Sequence, residues 1–187
     1  MSMVIVSGLP RSGTSLMMQI LQAAGIPIAT DKKRKADENN PRGYLEIDNI
    51  IKKIRTKPEY IFNFDNKAIK ITSPGIPYLP FWNYKIIYME RNIDEVINSM
   101  EKMIGLKEDP NRDITRKGLL KLDKKARDII NKRTDMERLY VNYNSLIKFP
   151  ESEVQRVQEF LSIDKGKLNR MIKCVDRNLY RSRHCLE

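Results

Sequence analysis

Between Gly8 and Ser15 the chain gathers residue types that hold a phosphate: bracketing glycines at Gly8 and Gly13, a cation at Arg11, and hydroxyls at Ser12, Thr14 and Ser15. Glycine lets the backbone turn its N–H groups toward one point. A helix beginning at Thr14 would add unpaired donors and a partial positive charge. The spacing follows the phosphate-loop pattern G-x-x-x-x-G-[K]-[ST], except that Thr14 stands where the nucleotidase lysine belongs. Arg11 supplies a cation inside the loop instead, which points to phosphate binding without ATP hydrolysis. An ordinary strand–turn–helix junction could also use glycine and serine here. The apolar run before the loop and the apolar stretch after it favour the phosphate reading.

A second pair lies at Arg91 and Ser99. Arg91 falls just past the apolar run Ile86 to Met89, where parallel sheets place their ligands, and Ser99 follows eight positions later on a helical pattern. Alone, such an arginine is usually a salt-bridge residue; beside the first loop it becomes a candidate anion contact.

The elements that must position these residues follow from periodicity. Val4–Val6, Ala68–Ile71, Lys85–Met89 and Leu139–Val141 read as strands. Helical patterns start at Thr14, closed by Gly25 and Pro27, and at about Glu46, where Ile47, Ile50, Ile51 and Ile54 share a face. Another runs from Asp94, with Val96, Ile97, Met100, Met103 and Ile104 on one side. The pattern over 113–137 turns Leu119, Leu122, Ala126, Ile129 and Ile130 inward, and shorter helices are expected at 151–161 and 164–174. Residues 29–45 read as a loop, and Ser73 to Pro80 is too rich in proline for a helix. Strands alternating with helices predict a three-layer α/β/α domain of the P-loop NTPase type, with a parallel sheet of four to five strands. A single domain over 1–187 is expected.

The formal charge of +11 and a charged fraction of 32% call for an anionic partner or a well-solvated surface. Nucleic acid is one such partner; a small polyanion in a cleft is favoured over it. No apolar run approaches the roughly 20 residues of a membrane span. The short run Val4–Val6 is no secretory signal, and Cys174 and Cys185 have no metal-ligand spacing, so a reduced cytoplasmic protein is expected.

Together the two anion segments resemble the sulfotransferase superfamily. GLPRSGTSLM is similar to that family's loop for the 5′-phosphosulfate of 3′-phosphoadenylyl sulfate (PAPS), in the arginine form found in tyrosylprotein sulfotransferases and bacterial relatives. KIIYMERNIDEVINSM is similar to its 3′-phosphate segment, AIKITSPGIPYLP to its K-T-H-x-P segment, and LYVNYNSLIKFPESEVQRVQEFLSI to its V-x-Y-E-D-L region. The resemblance implies PAPS as co-substrate, adenosine 3′,5′-bisphosphate (PAP) as product, and an acceptor hydroxyl or amine of unknown identity, with 29–65 and 104–137 as acceptor-side or lid segments. Backbone N–H groups of Ser12 to Ser15, with the Thr14 and Ser15 hydroxyls, would hold the 5′-phosphate. Arg91 and Ser99 would hold the 3′-phosphate. Arg11 and Lys70 would flank the bridging oxygen, and Tyr143 would contact the nucleotide. A metal is not obligatory, because the transferred group carries less charge than a γ-phosphoryl.

The pattern breaks at the general base. Thr72 occupies the place of the family's histidine, and the only histidine, His184, lies near the terminus. Glu46 is the preferred substitute, with Asp31 and Asp37 behind it. Arg116-Lys117-Gly118 copies a nucleotide-contact motif of cytosolic members, but out of order, and is read as coincidence. Lys32 to Lys35 is read as a solvated loop rather than a clamp. Two other functions stay open at this point: a nucleoside or small-molecule kinase on the same fold, and a nucleotide- or nucleic-acid-binding module without catalysis.

Overall fold

The computed structural model describes residues 2–34, 36–37, 40, 43–107 and 109–176. Lys35, His184 and Cys185 lie outside them. The strands are β1 (Met3–Gly8), β2 (Ala68–Lys70), β3 (Tyr84–Glu90) and β4 (Met136–Asn142). The helices are α1 (Thr14–Ala23), α2 (Ile50–Thr56), α3 (Ile93–Met103), α4 (Arg112–Lys132), α5 (Tyr143–Lys148), α6 (Pro150–Phe160) and α7 (Leu168–Ile172). The four strands form one sheet in the order β2-β1-β3-β4, every pair parallel.

Strand side chains alternate faces, and the two faces carry separate cores. Met3, Ile5, Ile69, Ile86 and Tyr88 point to one side, where α2 and α4 add Ile50, Ile54, Ala126 and Ile130. Val6, Ile87, Met89 and Val141 point to the other, against Met17, Met18, Ile20 and Leu21 of α1 and the apolar sides of α5 to α7. A sheet buried on both faces explains why β1 and β3 read as unbroken apolar runs. The expected three-layer α/β/α class is the one observed. Among the described residues, no helix is long and apolar enough to cross a membrane.

Several expected boundaries move. The helix expected from Glu46 begins at Ile50, because Leu45 and Asn49 adopt left-handed conformations (φ 49° and 54°) that no helix continues through. Ile47 is nevertheless buried. The helix expected over 113–137 stops at Lys132, where Arg133 turns extended to feed β4, and Leu122 faces solvent. Ile104 also faces solvent, since α3 ends before Gly105 (φ 73°). Ser73–Tyr78 winds into 3₁₀ turns despite its prolines, closed by Gly75 N–H to Thr72 O and Leu79 N–H to Ile76 O. The helix expected over 164–174 divides into a 3₁₀ turn at Lys165–Lys167 and α7. A 3₁₀ segment at Pro58–Phe64, and α5, have no counterpart in the sequence reading.

Gly118 lies mid-α4, exposed, and a Cβ added there meets nothing within 4 Å. Gly118→Ala should therefore raise the unfolding free energy by about 0.5–1 kcal/mol, read as a higher urea midpoint. No gain would mean that α4 is held by its packing regardless of backbone entropy.

Candidate functional site

Parallel strands deliver all their carboxyl ends to one edge of the sheet, and each strand here ends on, or one residue before, a residue singled out above. Val6 pairs with Lys70, the last residue of β2, and β1 runs on two residues into the glycine loop. Glu90 pairs with Asn142, so Arg91 and Tyr143 stand side by side one step beyond. These four ends open on one cleft of about 410 Å³, lined by Arg11, Thr14, Ser15, Lys70, Arg91, Ser99 and Tyr143 among others. Among its described lining residues, Arg11, Arg34, Lys70, Arg91 and Lys102 are cationic, whereas Glu46 and Asp176 are anionic. The balance suits an anionic ligand.

The loop's shape depends on its glycines. Gly8 and Gly13 have φ of 138° and 98°, and Arg11 shares the left-handed region at 68°. A Cβ on Gly8 would fall 2.5 Å from Met89 O and from Ser12 Oγ, and one on Gly13 2.3 Å from the Tyr143 ring. The loop is thus pressed between β3 and the start of α5. Ser12 N–H donates to Leu9 O (3.2 Å), so it is already engaged within the protein. The first helical bond of α1 is Met17 N–H to Gly13 O (3.1 Å), which leaves the Thr14, Ser15 and Leu16 N–H groups ahead of the ladder. Ser12 Oγ is buried with no hydrogen-bond partner among the described residues. A buried orphan hydroxyl in an anion loop fits a phosphate oxygen.

One wall is organised by Arg91. Its Nη1 donates to Arg11 O (2.9 Å), its Nε to Glu95 Oε2 (3.0 Å), and its guanidinium lies 4.4 Å from the centre of the Tyr143 ring. Glu95 is itself buried and also accepts from Asn144 Nδ2 (2.8 Å). A carboxylate behind and a ring beside hold the guanidinium in one orientation. Arg11 leans to this same wall: its Nε donates to Ser99 Oγ (3.0 Å) and Nη1 to Met103 Sδ (3.7 Å). Arg11, Arg91 and Ser99 are therefore one cluster.

The opposite wall centres on Lys70. Its Nζ is 2.7 Å from Glu46 Oε2 and donates to Ser15 Oγ (3.1 Å) and to Tyr44 O. Burial pulls the Lys70 pKa below that of an ordinary lysine, and the Glu46 carboxylate works against that pull. Glu46 Oε1 accepts from Arg34 Nη1 (3.0 Å), whose guanidinium stacks 3.5 Å from the centre of the Tyr44 ring. Burial, reinforced by the accepting Asp37 carboxylate, pushes the Tyr44 phenol up. Thr72 and Asn40 complete this polar wall.

The other candidates fall elsewhere. Asp31 is turned to the backbone, accepting from Lys33 N–H (3.1 Å) and Asp48 N–H (2.9 Å). Asp37 accepts from Tyr44 OH (2.8 Å) and Asn40 N–H (2.8 Å). Neither lines the cleft. Arg116 pairs with Asp94 of α3, and the Arg116-Lys117-Gly118 stretch is likewise away from the cleft. Among the described residues, none from 104–137 lines the cleft, whereas Arg34, Asn40, Tyr44 and Glu46 come from 29–65. Sequence reading missed Arg34, Tyr44 and Lys102. Lys102 was findable, three positions after Ser99 on the same helix face. Arg34 was hidden in a basic run, and nothing local marks the ring that it stacks on.

Comparison with known proteins adds three kinds of finding. The family described as "Sulfotransferase domain" matches residues 2–187. A mouse sulfotransferase complexed with PAP superposes with a TM-score of 0.60 at 13% identity, over 99% of this chain and 67% of that one. The sulfotransferase domain of the Synechococcus PCC 7002 olefin synthase gives 0.55 at 14% identity, over 100% and 90%. The sulfotransferase domain from the curacin biosynthetic pathway gives 0.50 at 13% identity, over 89% and 76%. At these identities the likeness is one of fold. No curated protein matches the chain in sequence.

Proposed function

The chain belongs to the sulfotransferase domain family, and on that premise we propose that it moves a sulfuryl group from PAPS to the hydroxyl of an acceptor. The observation that carries this reading is the bond from Arg91 Nη1 to Arg11 O, which ties the β1 loop and the β3 end into one cationic cleft. An adenylate with phosphates at both ends needs two such anion sites at a fixed separation. The Thr14 and Ser15 N–H groups, the helix dipole of α1 and Ser12 Oγ take the 5′-phosphate. Arg91, Ser99 and Arg11 take the 3′-phosphate, with Tyr143 beside them.

Bound PAPS supplies the activated sulfuryl group; the remaining work falls to side chains. Lys70, close to Ser15 at the loop, offsets charge that grows on the departing phosphate, where a fixed cation is worth most. Glu46 accepts the proton of the attacking hydroxyl as the new S–O bond forms and the old one to phosphate breaks. Lys70 and Arg34 hold its carboxylate in place, so its position is set before the acceptor arrives. The acceptor is proposed to lie along 29–65 of a single domain, the segment that contributes the polar wall.

Thermal unfolding with PAP, ATP plus magnesium, and GTP tests the nucleotide reading. PAP at a hundred times its dissociation constant should add about 2.7 kcal/mol of stability, with ATP and GTP well behind. Indifference to PAP with a response to ATP plus magnesium would replace this reading by a kinase. Glu90, the carboxylate closing β3, is bound by Arg127, an occupied position for a metal ligand.

A further inference from the structure

The outward face of α4 has no role in the cleft and an uneven chemistry. At 3.6 residues per turn, Ile114, Lys117, Lys121, Lys125 and Lys132 fall near one line along the helix, with Lys124 beside it; all are exposed. Leu120 and Leu122 flank the line on opposite sides, also exposed. Asp113 and Asp128 are the carboxylates on that side. The inward arginines of the same helix are matched: Arg112 with Glu101, Arg116 with Asp94, Arg127 with Glu90 and Asp123. Among the described residues, none of the five outward lysines has an ion pair.

Apolar side chains concentrate at the start of this stripe. Ile114 is 69% exposed and Ile104 64%, and Leu106 is exposed as well. Glu101 binds their segments together: its carbonyl accepts from Leu106 N–H (3.0 Å), and its carboxylate accepts from Asp109 N–H (3.0 Å) and Arg112 Nη1 (2.6 Å). The turn carrying Ile104 and Leu106 is therefore held at the amino end of α4. Water penalises three large aliphatic side chains there, and no protein element among the described residues covers them.

We propose that this face docks the protein on an anionic lipid bilayer. Lysines on a helix are drawn to acidic headgroups, and aliphatic side chains at one end enter the acyl boundary; firm attachment takes both signals. Charge complementarity alone would also suit nucleic acid. Exposed isoleucine and leucine gain nothing from a phosphate backbone, and no aromatic ring stands among these lysines to stack a base. Lys102 and Met103 line the cleft immediately before Ile104, so docking brings the α3 wall of the cleft to the bilayer.

Sedimentation with phosphatidylcholine vesicles, with and without phosphatidylserine, tests this on the full chain. Binding should require phosphatidylserine and weaken with salt. The triple variant Lys117→Gln, Lys121→Gln, Lys125→Gln should lose about a hundredfold in partitioning, from about fivefold per lysine. Ile104→Ser with Ile114→Ser should weaken binding while leaving its salt dependence in place. None of these residues lines the cleft, so the PAP thermal shift of each variant must match the parent, which separates failure here from failure of the nucleotide reading. Equal binding to both vesicle types, no binding to either, or loss in the lysine variant with no effect of the isoleucine changes and equal affinity for duplex DNA, would each overturn the proposal.

Discussion

Arg91→Ala is expected to lower stability by about 3–5 kcal/mol and to remove the thermal response to PAP. The side chains of Arg91 and Glu95 are 7% and 2% exposed, and the pair is 3.0 Å apart. Taking the cation away from a buried carboxylate costs far more than a surface pair is worth, because the remaining charge stays in a poorly solvated place. The same substitution cuts the tie to Arg11 O and loosens the β1 loop. Both losses could be blamed on misfolding, so a second variant separates them. In Arg91→Gln with Glu95→Gln the buried charges disappear together, and most of the stability should return while the PAP response stays absent. Urea unfolding and PAP titration read the two effects apart. A double variant that binds PAP like the parent would take Arg91 out of the nucleotide site.

Glu46→Gln should reduce kcat by about 10²–10⁴-fold, the range that a positioned base contributes, while the PAP thermal shift survives. Turnover is measured with the best acceptor from a panel of phenols, sugars and tyrosine peptides. A change of less than about threefold would remove Glu46 from the reaction. The substitution also reaches Lys70, whose ammonium loses its carboxylate 2.7 Å away. Burial already draws the Lys70 pKa below 10.5, so between the lowered value and 10.5 the folded chain binds fewer protons than the unfolded one. Stability from this group therefore rises with pH across that window. Without Glu46 the lysine deprotonates at lower pH, so the variant should be least stable relative to the parent near neutrality. The gap should narrow on the alkaline side. A gap that widens with pH would contradict the account of Lys70.

The two walls of the cleft were unequally legible. The loop from Gly8 to Ser15 is a local object: its glycines, its cation and the start of α1 are contiguous, and short-range conformational preference shapes them. Arg91 and Ser99 came through for a related reason, since a strand end followed by a helix sets both. Their meeting with Arg11 across 80 and 88 positions was not local: the family resemblance put both segments around one ligand but set Arg11 beside Lys70, on the opposite wall. On the Lys70 side, Glu46 was one of three candidate carboxylates. Asp31 and Asp37 have the same chemistry and differ only in what the fold gives them to bind. Backbone N–H groups and a tyrosine hydroxyl claim those two, which leaves Glu46 facing the cleft.

Apolar runs, helical periods and one glycine loop, read along the chain alone, were enough for a parallel α/β sheet and for the proposal of an anion site at its carboxyl edge. Both follow from interactions between residues near in sequence, together with the burial that two-sided packing demands. The strand order, the pairing of Arg11 with Ser99, and the clamp of Arg34 and Lys70 on Glu46 arose only when distant segments packed. Those contacts join residues whose separation no local pattern encodes, and they decide which wall of the cleft each charge serves.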